Sequence, residues 1–109
     1  MNKHESVLLQ MQILGGVLLF PGVFFQIRQI GVDGDFTAVN KIVWTAMQVA
    51  FNQRGSIDMI TVSTALADMN ELEAVGGIGY LSFLLDCVPP DAEAKDIKIF
   101  CWRGGHVCR

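Results

Sequence analysis

Apolar residues recur along this chain at intervals of three and four, the spacing that stacks side chains on one face of a helix. The segment from Phe36 to Gln53 carries the clearest instance. Phe36, Val39, Val43, Met47 and Ala50 share a face, and Lys41, Thr45, Gln48 and Asn52 form a narrow polar stripe. A helix with so narrow a polar face is packed on most sides, so Trp44, in its middle, is expected in the core. Asp35 stands before it as the expected N-cap and Gly55 after it as the stop. Upstream, Ser6 to Leu19 predicts a first helix. Pro21 suits the first turn of a second, running to about Ile30, because the N–H that proline lacks has no helical partner there. Gly31 to Gly34, with Asp33, predicts a turn.

Downstream, Ser56-Ile57-Asp58 predicts a short extended connector. A helix from about Thr61 to Met69 follows, with Val62, Ala65, Leu66 and Met69 inward. Asp58 and Thr61 bracket its start, where a carboxylate or hydroxyl satisfies orphan backbone N–H groups. Asn70-x-x-Glu73 has the form of a capping box opening a short turn of helix, which Gly76-Gly77 ends. Tyr80, Leu81, Leu84 and Leu85 predict another short amphipathic helix, stopped by Pro89-Pro90. Asp91 to Phe100 is compatible with a last helix, and Cys101 to Arg109 reads as tail. No stretch sustains the alternation of a strand. The expected fold is all-α, a compact bundle of five or six short helices, with residues 1–100 as one domain and 101–109 as a disordered tail.

Composition narrows the function. A chain of 109 residues holds one core of ordinary size. At 51% hydrophobic and 17% charged residues it is not intrinsically disordered, and it carries more apolar surface than a lone monomer needs to bury, which predicts a partner surface. The net charge of −3 and the lack of any Lys/Arg cluster argue against direct nucleic-acid binding, which draws on phosphate contacts. Cys87, Cys101 and Cys108 are an odd, sparse set, read as reduced thiols of a cytoplasmic protein. The apolar stretch from Val7 to Phe25 is interrupted by Gln10, Gln12, Gly15-Gly16 and Pro21-Gly22, so it predicts a buried helix pair, not a membrane span or signal peptide.

The sequence carries no recognisable catalytic motif. There is no G-x-x-x-x-G-K-[ST] phosphate loop. Gly76-Gly77-Ile78-Gly79 follows no strand and is read as a helix stop and a close helix–helix approach. The acidic residues fall at expected helix starts and solvent faces. His4 and His106 have no nucleophile placed beside them by any motif. Cys101, His106 and Cys108 are spaced C-x4-H-x-C, which is not a usual zinc pattern and lacks a fourth ligand. No catalytic residue, cofactor or metal site is expected. Trp102, in the tail, would suggest docking if exposed.

Four blocks, in order, carry a resemblance to a known family. The first is Ile13-Leu14-Gly15-Gly16-Val17-Leu18-Leu19 followed by Pro21. The second is Asp35-Phe36 with Ile42-Val43-Trp44 and Met47. The third is Arg54-Gly55-x-Ile57-Asp58-x-x-Thr61-Val62-x-x-x-Leu66. The fourth is Glu71-Leu72-x-x-Val75-Gly76-Gly77-x-x-Tyr80-Leu81, closing with Val88-Pro89. Over about residues 5–90 the chain resembles the N-terminal domain of DnaB-type replicative DNA helicases. The resemblance implies a helical head domain without ATPase activity, which in that family sits on a hexameric ring, helps form a collar of paired domains and contributes to primase binding. The implied partners are therefore primase and other helicase subunits, with self-association, and neither nucleic acid nor membrane. Its motif residues (Leu14, Gly15, Gly16, Pro21, Asp35, Phe36, Trp44, Gly55, Ile57, Asp58, Thr61, Leu66, Leu72, Gly76, Gly77, Tyr80, Leu81 and Pro89) are expected to be structural, and none is reactive.

The sequence also departs from the family. Asn40 stands where the family often has a His, and Phe20 where an Asp often precedes the proline. After Pro89 the match thins. The family continues with a long helix, a helical hairpin and a RecA-like motor, and Cys101-Trp102-Arg103-Gly104-Gly105 does not continue that pattern. The expectation is a truncated head that acts as a non-catalytic interaction domain in DNA replication. The alternative is a free-standing phage or mobile-element regulator, a decoy of a host helicase or primase, or a non-functional fragment.

Overall fold

Helix α1, Lys3–Leu19, takes its position from its composition. From Ile13 to Leu18 every residue is buried, and a helix that is apolar all round belongs in the interior. Gly15 and Gly16 let its neighbours approach. Gly15 lies against the backbone of α6 at Leu84 and against Val88, and Gly16 lies against the side chain of Ile97. The close approach expected of this pair is thus met within the fold. Phe20, Pro21 and Gly22 separate α1 from α2, Val23–Ile30. Pro21 falls two residues ahead of the helix, not in its first turn. Its carbonyl accepts from Phe24 N, and the Phe20 carbonyl accepts from Val23 N, so two i→i+3 bonds lead into α2. In this computed structural model residues 3–30 and 36–97 are described. The expected turn at 31–34, Asp35, the chain beyond Ile97, and with it Trp102 and the Cys101/His106/Cys108 set, lie outside them.

Helix α3 spans Ala38–Arg54 and buries Val43, Trp44, Met47 and Ala50, while Lys41, Thr45 and Asn52 stay exposed. It starts later than expected. Phe36 precedes the helix and turns into the core, its ring 5.2 Å from that of Trp44, and the N-cap position belongs to Thr37, not Asp35. Gly55 ends α3 in the left-handed region at φ 70°, its N–H donating to Phe51 O. Ile57, in the extended connector, is buried.

Helix α4, Met59–Asp68, begins two residues earlier than its apolar spacing suggested, because Asp58 caps it. Asp58 Oδ1 accepts from Thr61 N at 2.8 Å, and Thr61 Oγ1 accepts from Asp58 N at 2.9 Å. The expected capping box at Asn70 and Glu73 does not form. Asn70 instead ends α4. It adopts φ 59°, its N–H donates to Ala67 O, and the N–H of Glu71 donates to Leu66 O. That pair of bonds is the Schellman arrangement, and asparagine tolerates the left-handed conformation it requires. Helix α5 is the single turn Leu72–Val75, with Glu71 at its N-cap position and no side-chain cap. Gly76, at φ 105°, separates it from α6, Gly77–Cys87. The close helix–helix approach expected for the glycine cluster is absent: Gly77 and Gly79 face open space and Gly76 meets only Tyr80. Val88 ends α6 in extended conformation before Pro89, and residues 94–97 begin a further helical turn.

The architecture is therefore two helix pairs, α1 on α6 and α3 on α4, joined through one core. Trp44 stands between them, its ring 5.3 Å from that of Phe24 on α2. Among the described residues there is no strand, and no helix long and apolar enough to cross a membrane.

Candidate protein-interaction site

Helix α6 is held in place by a polar bridge through the core. Gln10 of α1 and Asn40 of α3 are almost fully buried, at 3% exposure each. Gln10 Oε1 accepts from Thr37 N at 3.0 Å, from Thr37 Oγ1 at 3.3 Å and from Asn40 Nδ2 at 3.2 Å. Asn40 Oδ1 in turn accepts from the phenol of Tyr80 on α6, forty positions away. Thr37 caps nothing on its own helix because its hydroxyl is turned to Gln10. The four residues tie α1, the start of α3, and α6 together without using a charge, so no ion has to be desolvated to build the bridge.

This bridge fixes the outer face of α6. The buried side of the helix is Leu81 and Leu84, with Tyr80 half-buried. The outer side carries Ile78 and Phe83, both more than 45% exposed, with the Phe83 ring 6.2 Å from that of Tyr80. Gly79, Ser82 and Asp86 are the other exposed residues of that side. Large apolar side chains set among small and acidic ones on a rigid helix suit contact with another protein.

Two ionisable groups of α6 are shifted by their surroundings. Burial raises the Tyr80 phenol above its ordinary value, with a second contribution from the charge of Cys87. Burial also raises the Cys87 thiol, with a smaller contribution from Asp86. A thiol shifted upward holds less thiolate at neutral pH and is a weaker nucleophile. Among the described residues no group of His, Cys, Asp and Glu could hold a metal ion. A shallow depression of about 330 Å³ lies elsewhere and is lined by Ala67, Asn70, Leu72 and Glu73.

The chain matches the DnaB-like helicase N terminal domain over residues 2–98. It belongs to that family. Its relatives include the replicative DNA helicase DnaB of Geobacillus stearothermophilus, 32% identical over 92 residues, which are 84% of this chain and 20% of that protein. The replicative DNA helicase DnaC of Bacillus subtilis (strain 168) is 28% identical over 92 residues, with the same coverage. The replicative DNA helicase DnaB of a Synechocystis species is 35% identical over 75 residues, 68% of this chain and 9% of that protein. The chain thus spans about 20% of the length of the Geobacillus and Bacillus relatives, and what it matches is the N-terminal domain of a replication helicase.

The motif residues divide by position in the fold. Leu14, Phe36, Trp44, Ile57, Leu66 and Leu81 are buried in the core and Leu72 packs against it. Gly55, Asp58, Thr61 and Gly76 set helix ends, with Gly77 also at positive φ. Gly15 and Gly16 are at the contacts of α1, Pro21 and Pro89 flank helix ends, and Tyr80 alone reaches the bridge. Gln10, Thr37 and the polar role of Asn40 were missed. A signal existed: Gln10 precedes Ile13, Leu14 and Val17, and Asn40 precedes Val43, Trp44 and Met47, each by three, four and seven. Each is a polar residue in a core register.

Proposed function

We propose that the domain is a non-catalytic interaction module of a cytoplasmic replicative DNA helicase, contributing to assembly of the hexamer collar and to primase binding. The observation that carries this reading is the outer face of α6, where Phe83 stands exposed beside the anchored Tyr80 and Ile78 is exposed on the opposite flank, in a chain of this family. A partner helix laid there gains apolar burial without first ordering the surface it meets, because the bridge has already done so. Primase is the partner this face is assigned to, and residues 1–100 are the unit that carries it.

Calorimetric titration of the purified chain with the helicase-interaction domain of a primase tests the proposal. Binding is expected, weakened about tenfold or more by Phe83→Ala, a loss of about 1.4 kcal/mol. ATP hydrolysis is expected at background. Absence of binding, or hydrolysis above background, would refute the proposal.

A further inference from the structure

Two surface patches of opposite character lie at opposite ends of the α3–α4 pair. At one end, Phe25 and Phe51 meet edge to face at 4.9 Å. The guanidinium of Arg28 lies over the rings of Phe24 and Phe25, at 5.3 and 5.7 Å. Phe25 is 42% exposed, Arg28 is exposed, and Arg54, also exposed, stands one turn beyond Phe51. Helices α2 and α3 contain Arg28, Lys41 and Arg54 and no acidic residue. Aromatic rings with arginine are the composition that dominates binding energy at protein interfaces.

The other patch is the depression lined by Ala67, Asn70, Leu72 and Glu73. Ala67 and Leu72 offer apolar walls for a methylene stem or ring edge, and Asn70 and Glu73 offer acceptors for its charged head. Asp68 and Glu71 adjoin the lining residues in sequence. From Arg54 to Lys95 the chain holds Asp58, Asp68, Glu71, Glu73, Asp86, Asp91 and Glu93 and no Lys or Arg between them. The connector Gly55–Asp58 is short enough to make α3 and α4 antiparallel neighbours. Arg54 therefore sits at the connector, and the depression lies past the far end of the ten residues of α4, about 15 Å along its axis.

We propose that the arginine–aromatic patch of one copy of this chain docks on the acidic depression of the next. Both halves of a complementary pair are present on one molecule, which is why the occupant assigned is a second copy. A two-fold pairing of either patch with itself would set Arg28 and Arg54 against their own equivalents, or Glu73 against its own, and like charges in contact are costly. Each patch therefore meets the other kind across the contact, either head to tail, closing into a ring or extending, or reciprocally in a two-fold pair that uses both patches of each copy. The inference rests on the assembly half of the proposed function and names the surfaces that would serve it.

Solution mass by light scattering after size exclusion, across protein concentration and at low and high salt, tests the contact. The proteins are the wild-type chain, Arg54→Glu, Glu73→Lys, and an equimolar mixture of the two variants. Both side chains are exposed, and thermal melting of each variant checks that the fold is kept. The wild-type mass is expected to rise with concentration at low salt and to fall at high salt. Each variant alone is expected to lose association, and the mixture to regain it, because each variant retains the patch the other has lost. Association that persists undiminished in both variants overturns the assignment of patches and leaves assembly standing. A wild-type chain that stays monomeric at every concentration overturns the self-contact itself, and primase binding, read by calorimetry, is unaffected by that result. A mixture that stays monomeric overturns the complementarity.

Discussion

Gly15 of α1 lies directly against the main-chain carbonyl of Leu84 in α6, so close that a methyl group at position 15 would overlap the oxygen. A backbone carbonyl cannot rotate aside as a side chain can. Gly15→Ala therefore forces α1 and α6 apart, at a cost of about 1–3 kcal/mol for overpacking that outweighs the gain of about 1 kcal/mol in helix propensity. Gly16 lies against the side chain of Ile97, which is fully buried and β-branched. Gly16→Ala should therefore also destabilise, though by less than Gly15→Ala, because the neighbour that has to give is a side chain and not a backbone carbonyl. Gly79, in the first turn of α6, has nothing within 4 Å of where a methyl group would stand. Gly79→Ala should raise stability, by at most about 1 kcal/mol. Since about 1 kcal/mol moves the Tm of a domain this size by about 4–8 °C, thermal melts should rank Gly79→Ala above wild type, then Gly16→Ala, then Gly15→Ala. An unchanged Tm for Gly15→Ala would sink the contact.

The bridge from Gln10 through Asn40 to Tyr80 has its own signature. Tyr80→Phe removes the donor to Asn40 Oδ1 and leaves a buried carbonyl unsatisfied, which should cost about 1–3 kcal/mol. Asn40→Leu removes both the carbonyl and one of the three donors to Gln10. Tyr80→Phe should then cost less in the Asn40→Leu background than in wild type. Urea titration of the four proteins of the cycle gives the coupling, expected at about 0.5–3 kcal/mol. A coupling of zero would mean that the two side chains act independently.

The capping box of α4 supplies a third check. Asp58→Ala leaves Thr61 N without its acceptor and should lower stability by about 0.5–2 kcal/mol. Asp58→Asn keeps an acceptor at the same place and should recover most of that loss. Thr61→Ala should cost at least as much as Asp58→Ala, because its hydroxyl both accepts from Asp58 N and donates to Ser56 O. If Asp58→Asn melts with Asp58→Ala, the cap is not the source of the effect.

The helices were legible because their apolar positions recur at the helical period, and the stops at Gly55 and Gly76 because glycine alone enters the left-handed region cheaply. Helix starts were less so. Asp35 was the expected N-cap, but the N-cap position belongs to Thr37, because Phe36 turns into the core against the distant ring of Trp44. Asn70 could open one helix or close another. The choice lies in the two backbone bonds back to α4, which no local pattern encodes. The site was hardest to read. Gln10, Asn40 and Tyr80 are separated by 30 and 40 positions and meet only once the bundle is packed. The exposure of Ile78 and Phe83 depends on which face of α6 meets α1. The negative findings on phosphate loops, by contrast, are questions of local sequence and were answered there.

The same bridge makes stability depend on alkaline pH. Burial, and then the charge of Cys87, raises the folded-state pKa of Tyr80 above its ordinary 10.0. Burial, and then Asp86, raises Cys87 above 9.0. In each case the folded protein holds its proton more tightly than the unfolded chain does. Between the unfolded and folded pKa the unfolded state therefore binds fewer protons, and the slope of stability with pH is negative. These contributions are complete below about pH 9 and are lost as pH rises through the folded values. Ionisation of Tyr80 also removes the proton it donates to Asn40, which adds to the loss. The urea midpoint should thus be insensitive to these two groups near neutral pH and fall above about pH 9–10. Tyr80→Phe, though less stable at pH 7, should show a shallower alkaline fall. Cys87→Ser should remove the part that begins at the lower pH. A Tyr80→Phe profile parallel to wild type above pH 10 would mean that the phenol ionises as freely in the folded domain as in the unfolded chain.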